Sequence, residues 1–202
     1  MVQLAMGDRR ATASGTTDAS ERSTPRHRLL VRAAALLQAQ VQLGDMSLRA
    51  IAGELDTSHR MLIYHFGSRD GLLAAVLTHL RQEDQKRYLR LGLAEGSGKV
   101  VEAIWQEHLD TSTSARGRAF FYILGKASRD PETYRGFLES LEDTTLLLAD
   151  LIAGSGVPPD KAYAQAFLSS WSARLFGIAR HVQDGTGAGQ ARERAVRALI
   201  GL

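Results

Sequence analysis

Residues 46–69 read MSLRAIAGELDTSHRMLIYHFGSR. Ser47 is placed to cap a short helix whose apolar stripe is Leu48, Ile51, Ala52 and Leu55, the i, i+3, i+4, i+7 pattern of one helical face. Ala52 and Gly53 lack bulk, so another helix can approach there. Asp56-Thr57-Ser58 predicts a tight turn. Aspartate is among the few residues other than glycine that accept a left-handed backbone, and Ser58 can cap the next helix. That second short helix is expected from about His59 to Phe66. At about 100° per residue, it turns Leu62, Ile63 and Phe66 towards the first helix and Arg60, Met61, Tyr64 and His65 away. Two short helices joined this way predict a helix-turn-helix, which lays its second helix in the major groove of DNA.

The outward residues have the chemistry that this surface needs. Arg49 carries the planar fork that matches guanine O6 and N7. His59 and Arg60 are donors at the tip of the second helix, and Met61 suits a thymine methyl. Ser47, Thr57, Tyr64, His65 and Arg69 can donate to phosphate oxygens, which set register without reading sequence. The plainer reading of the same residues is a helical hairpin with a solvated polar face.

Residues 51–73, IAGELDTSHRMLIYHFGSRDGLL, resemble the TetR family of transcriptional regulators. That family's usual run is Ile-Ala, a short turn, Ser, then Tyr-x-His-Phe, a Ser-Lys or Ser-Arg pair, and Leu-Leu. With the helices on either side, the resemblance spans residues 25–90. Asp56 stands where glycine is common, Arg60 where a small residue is frequent, and Ile63 where an aromatic is common, with Tyr64 beside it. These departures bear on which operator is read. The resemblance implies a three-helix N-terminal DNA-binding domain and a larger helical domain that binds a small-molecule effector and forms a homodimer. It carries the DNA contacts over to Ser47 and Arg49, to Thr57, Ser58, His59, Arg60 and Met61, and to Tyr64, His65 and Arg69.

Upstream, residues 1–24 are small, polar and without apolar period, so a disordered arm is expected there. Thr24-Pro25 is a helix start, because proline at the first helical position gives up an N–H that is unpaired anyway. Leu29, Leu30, Ala33, Leu36 and Leu37 recur at helical spacing after it, and Leu43-Gly44-Asp45 is expected to end the helix. Downstream the chain reads helical almost throughout, broken by glycine and polar clusters near residues 92–98, 111–117, 129–131, 154–159 and 184–189. Leu168, Trp171, Leu175, Ile178 and Val182 give one clear helical stripe. The expected architecture is all-α with about nine helices. Its divisions are an arm (1–24), a helix-turn-helix domain (25–70) and a helical ligand-binding and dimerisation domain (71–202).

The C-terminal half concentrates the aromatics, and aromatics on several helices can line a pocket or form core. Trp105, Phe121, Tyr134 and Trp171 are the candidate lining residues, with His108 and Arg174 as polar anchors. A buried arginine needs a carboxylate or an anionic ligand. Small residues from Ala162 to Gly177, with Ala191, Ala195, Val196, Leu199 and Leu202, suggest helices that pack closely, either within the chain or across a two-fold four-helix bundle.

The chain has 202 residues, 25 Lys+Arg against 22 Asp+Glu, a formal net charge of +3 and no cysteine. The missing thiols exclude a disulfide scaffold and a thiolate metal site. No apolar run approaches the roughly 20 residues of a membrane span, and no signal peptide is legible, so a cytoplasmic chain without membrane association is expected. Gly96-Ser97-Gly98-Lys99 fails as a phosphate loop for want of the first glycine and a following hydroxyl. The six histidines are scattered, so no metal site and no cofactor is expected. No nucleophile elbow is present, and no enzyme is expected. The expected function is a ligand-responsive dimeric regulator, a repressor released from a palindromic operator by a small apolar or aromatic molecule. The alternatives are an all-helical small-molecule-binding protein or enzyme without DNA binding, and a helical interaction protein.

Overall fold

Thr24 opens the first helix as expected, its hydroxyl accepting the His27 N–H at 3.1 Å with Pro25 in the first turn. The computed structural model describes residues 24–111, 114–179 and 187–201. The arm expected before Thr24 lies outside them, as do Val182 and Leu202. Nine helices succeed one another among the described residues, and no strand occurs there. They are α1 (Pro25–Gln38), α2 (Leu48–Glu54), α3 (His59–Phe66), α4 (Arg69–Glu95), α5 (Ser97–Thr111), α6 (Ala115–Ala127), α7 (Arg135–Ala153), α8 (Pro159–Ala179) and α9 (Gly187–Leu199). The all-α architecture is therefore as expected. No described helix is long and apolar enough to cross a membrane.

Helix α1 ends earlier than Leu43-Gly44-Asp45. Gln40 adopts φ 67°, Val41 N–H bonds Leu36 C=O at 3.0 Å and Gln40 N–H bonds Leu37 C=O at 3.2 Å. This is a Schellman cap with glutamine where glycine is usual. The strained backbone is held by a distant partner, because Gln40 Oε1 accepts the Ala115 N–H at 3.0 Å and so caps α6. Leu43 is fully buried in the loop after the cap.

Two apolar clusters form the core. The first joins α1, α2, α3, the N-terminal half of α4, α6 and Phe137 of α7. The second joins Tyr88 of α4 with α5, the C-terminal half of α7, α8 and Ile200. Helix α4 is common to both clusters. The division expected at residues 70 and 71 falls in its first turn.

On α8 the small residues Ala162, Ala166, Ser169, Ala173 and Gly177 are buried within the chain, where α8 meets α5 and α7. Here the intrachain packing won, since residues without bulk let backbones approach. Trp171 and Phe176 pack partly into the two clusters, while the other large apolar residues of α8 point the other way. Leu175 is 57% exposed and Phe167 45%, and Tyr163, Leu168 and Ile178 are exposed too. Ala191 and Ala195 of α9 are exposed as well.

Candidate nucleic-acid interface

Ser47 caps α2, accepting the Ala50 N–H at 3.1 Å, and Ser58 caps α3, accepting the Met61 N–H at 3.1 Å. Between them Asp56 takes φ 48°, the left-handed turn expected of it. Thr57 N–H reaches Ala52 C=O at 2.9 Å and Asp56 N–H reaches Gly53 C=O at 3.1 Å, which closes α2 with a second Schellman cap. Both short helices therefore begin on a serine hydroxyl, and the turn between them has a single defined geometry. Leu62 anchors α3 with no exposed surface, against a floor that includes Ile51, Ala52 and Leu55.

Opposite Leu62, Tyr64 is 78% exposed, and Ser47, Arg49, Ser58, His59, Arg60 and Met61 are exposed with it. Thr57 is half-buried in the turn. Ile63 differs from expectation: it is 42% exposed, because one turn of α3 has room for one fully inward residue and Leu62 takes it. Ile63 therefore adds an apolar group to the outer face. His65 is half-buried, with its ring edge-on to both Tyr64 and Phe66, and its Nε2 is shielded without a partner. Arg26 of α1 donates Nε–H to the His65 carbonyl at 3.4 Å and lies 5.2 Å from the Phe66 ring centroid. Across residues 25–70 six arginines stand against four carboxylates, and Arg69 among them is paired with Asp70.

Arg69 looks inward. It bonds Asp70 Oδ1 through Nε at 3.2 Å and Nη2 at 3.1 Å, and donates from Nη2 to the Tyr122 hydroxyl at 2.6 Å. Tyr122 donates in turn to Asp70 at 3.1 Å, and Lys126 lies 3.4 Å from the same carboxylate. Burial disfavours the Arg69 charge, but its bond to Asp70, with the nearby Tyr122 and the Asp70 carboxylate, more than offsets this and raises its pKa. The group ties the start of α4, just after α3, to α6.

The joint between α3 and α4 depends on Gly71. A Cβ there would stand 2.2 Å from the Phe66 carbonyl oxygen, a backbone atom that cannot swing aside. Gly71→Ala is expected to lower stability by about 1–3 kcal/mol, the usual cost of forcing a backbone shift. Urea unfolding checks this. An unchanged midpoint would mean that the joint yields freely.

The residues expected to line a ligand site fall in four places. His108 and Arg174 are in contact, Nε2 to Nη2 at 2.6 Å, and with Trp171 they border one enclosed cavity. Trp105 is fully buried in the second core cluster, its ring 5.9 Å from that of Phe176. Phe121 packs edge-to-face on Phe120, and Tyr134 lines a surface groove between α1, α4 and the start of α7. Arg81, Phe120 and Ser170 also border the cavity, and the sequence alone does not single them out as its lining. For Arg81 a signal exists: Leu77, Arg81, Asp84 and Tyr88 continue the buried stripe of α4 at spacings of four, three and four.

Neither a family model nor a curated protein matches the chain. Solved structures do resemble it. One is a TetR transcriptional regulator from Legionella pneumophila, with TM-score 0.58 and 17% identity over 88% of this chain and 96% of that one. Another, from Pseudomonas aeruginosa PAO1, is provisionally described as a transcriptional regulator, with TM-score 0.53 and 16% identity over 90% of this chain and 91% of that one. The chain has the fold of a TetR transcriptional regulator.

Proposed function

We propose that the chain is a DNA-binding transcriptional regulator that acts as a homodimer on a palindromic operator and releases it, as a repressor does, when a small molecule binds among the C-terminal helices. The observation that carries this reading is the α2-turn-α3 unit. Both its helices are serine-capped, its turn is closed, and its outer face carries donors above a single buried anchor. An ordinary hairpin would not need Tyr64 almost fully exposed beside Arg60, Met61 and Ile63.

In this reading residues 25–70 form the DNA-binding unit. Arg49, His59, Arg60 and Met61 meet base edges, while Ser47, Thr57, Ser58, Tyr64, His65 and Arg69 serve phosphates and register. Arg69 would have to exchange its Asp70 and Tyr122 contacts for a phosphate, or else hold the backbone that presents Tyr64 and His65. The exposed apolar stripe of α8 supports the dimer, since a run of exposed large apolar residues on one helix face is the kind of surface that association buries. The effector site is placed at the cavity bordered by His108, Trp171 and Arg174. Its effect on DNA affinity is bounded by its differential affinity for the two states, typically about 1–3 kcal/mol.

Fluorescence anisotropy on DNA from upstream of the chain's own gene, titrated with salt, tests the assignment. Arg49→Ala is expected to cost about 1–3 kcal/mol at one base position, whereas Tyr64→Phe weakens all sequences alike. Uniform loss from Arg49→Ala would contradict its role as a reader.

A further inference from the structure

We infer that the cavity enclosed by α4, α5, α6, α7 and α8 is a site for the carboxylate of a small organic acid, held by Arg81 and Arg174 with His108 and Ser170 beside them. This gives the effector of the proposed regulator its charge. It rests on that reading for its regulatory meaning, but not for binding.

The first ground is charge. Arg81 and Arg174 are more than nine-tenths buried, and neither has a carboxylate at ion-pair distance among the described residues. The neighbouring acids are committed elsewhere. Asp84 pairs with Arg116 and Arg87, and Glu107 with Arg116, Arg87 and the Tyr88 hydroxyl. Arg87 and Arg116 thus take both carboxylates, and Arg81 and Arg174 are left with none at ion-pair distance among the described residues. Burial and neighbouring cations push Arg81 down to about 10 and Arg174 to about 9, so both remain charged at neutral pH. His108 adds no charge, because burial and the facing arginines hold it well below its usual pKa. A buried cationic surplus of this kind is costly unless an anion joins it.

The second ground is unmet hydrogen bonding. Arg81 Nε, His108 Nδ1 and Ser170 Oγ are all buried without a partner, and all three residues border the cavity. Arg174 can only donate, so His108 Nε2 accepts and its proton sits on Nδ1. The Ser170 backbone lies near enough to favour that proton, but not in bonding geometry. Phe120 offers the cations a ring face, with Arg174 at 4.3 Å and Arg81 at 5.6 Å from its centroid. A ring face offsets only a fraction of the desolvation of one buried ion, and here it serves two.

The third ground is shape. The cavity holds about 20 Å³, room for about one water-sized group. That admits the oxygen of a head group but no whole molecule. The body of the ligand must extend outward past Leu141 and Trp171, which are only partly buried and apolar. Two buried guanidiniums in the lining, with Phe120 and Trp171 as aromatic neighbours, fit a carboxylate on an apolar body.

Thermal unfolding of the full chain at fixed ionic strength tests this with straight-chain and aromatic monocarboxylates, their neutral amides, chloride and sulfate. The acids are expected to raise Tm saturably and the amides to leave it unchanged. Arg81→Met and Arg174→Met should each weaken the response at least tenfold. Without ligand, Arg174→Met should melt at or above the wild-type Tm, because a buried charge without a carboxylate has been removed. Amides equal to acids, or no response to any acid, would overturn the site. Chloride or sulfate matching the best acid would make it a general anion site, not a carboxylate site. A sharply lower Tm for unliganded Arg174→Met, or an unaltered acid response in both variants, would make the arginines structural and overturn it too. Because no DNA is present, a chain that takes acids but never binds DNA sinks the regulator alone, and one that binds DNA but ignores acids sinks this site alone.

Discussion

Replacing Leu175 by glutamate is expected to leave each protomer folded while converting a dimer to monomers and abolishing binding to an operator with two half-sites. Leu175 is the most exposed residue of the α8 stripe at 57%, so its loss removes no intrachain core. In a two-fold interface every substitution occurs twice. Losing the burial of the exposed part of two leucines costs about 2–3 kcal/mol, before any repulsion between the two new charges is counted. That is a weakening of roughly 30- to 300-fold in the dimer constant. Ala173→Glu would not serve, because Ala173 is fully buried and the charge would disrupt the fold. Sedimentation velocity on wild type and Leu175→Glu, with thermal unfolding as the control, reads the outcome. A wild-type monomer at micromolar concentration, or a variant that stays dimeric, would remove α8 as the interface.

A comparable loss is expected from Leu62→Ala. This is the fully buried side chain of α3, and truncating such a leucine costs about 2–5 kcal/mol. Its cluster runs without a break through α1, α2, α4 and α6, so the loss should lower the unfolding midpoint of a single transition. DNA affinity should fall with it, since α3 has no other deep anchor. Urea unfolding followed by circular dichroism gives the first quantity and anisotropy the second. If only a small early transition moved, residues 25–70 would be a separate folding unit. An unchanged midpoint would mean that α3 does not depend on Leu62.

The helix-turn-helix was legible because its determinants are local. Ser47, Asp56 and Ser58 act within three or four residues of themselves, and the start of α3 at His59 is dictated by the Ser58 cap. What was not legible depended on contacts far along the chain. Helix α1 stops short of Gly44 because Gln40 accepts a left-handed backbone, and it does so while bonded to Ala115, 75 residues away. On α8 the sequence shows small and large apolar residues on different faces, but periodicity cannot say which face is inside. The structure buries Ala166 and Ala173 and exposes Phe167 and Leu175. Arg81 is hard to pick out because it sits in a charged run that reads as a solvated face, although its spacing from Leu77 and Tyr88 puts it on the inner one. Of the proposed ligand residues, His108, Trp171 and Arg174 meet at one cavity, and nothing short of the helix packing could bring α5 and α8 together.

Everything proposed for the N-terminal helices requires that α3 read DNA as one of a symmetric pair. Selection from a random duplex pool with the purified chain, with sequencing of the retained DNA, shows whether it does. A symmetric pair of recognition helices predicts an inverted repeat whose half-site centres lie about one helical turn or a multiple of it apart. It also predicts enrichment that collapses for Arg60→Ala and Leu175→Glu. Retained DNA with no shared sequence, or with a single half-site bound equally well by the Leu175→Glu variant, would contradict it.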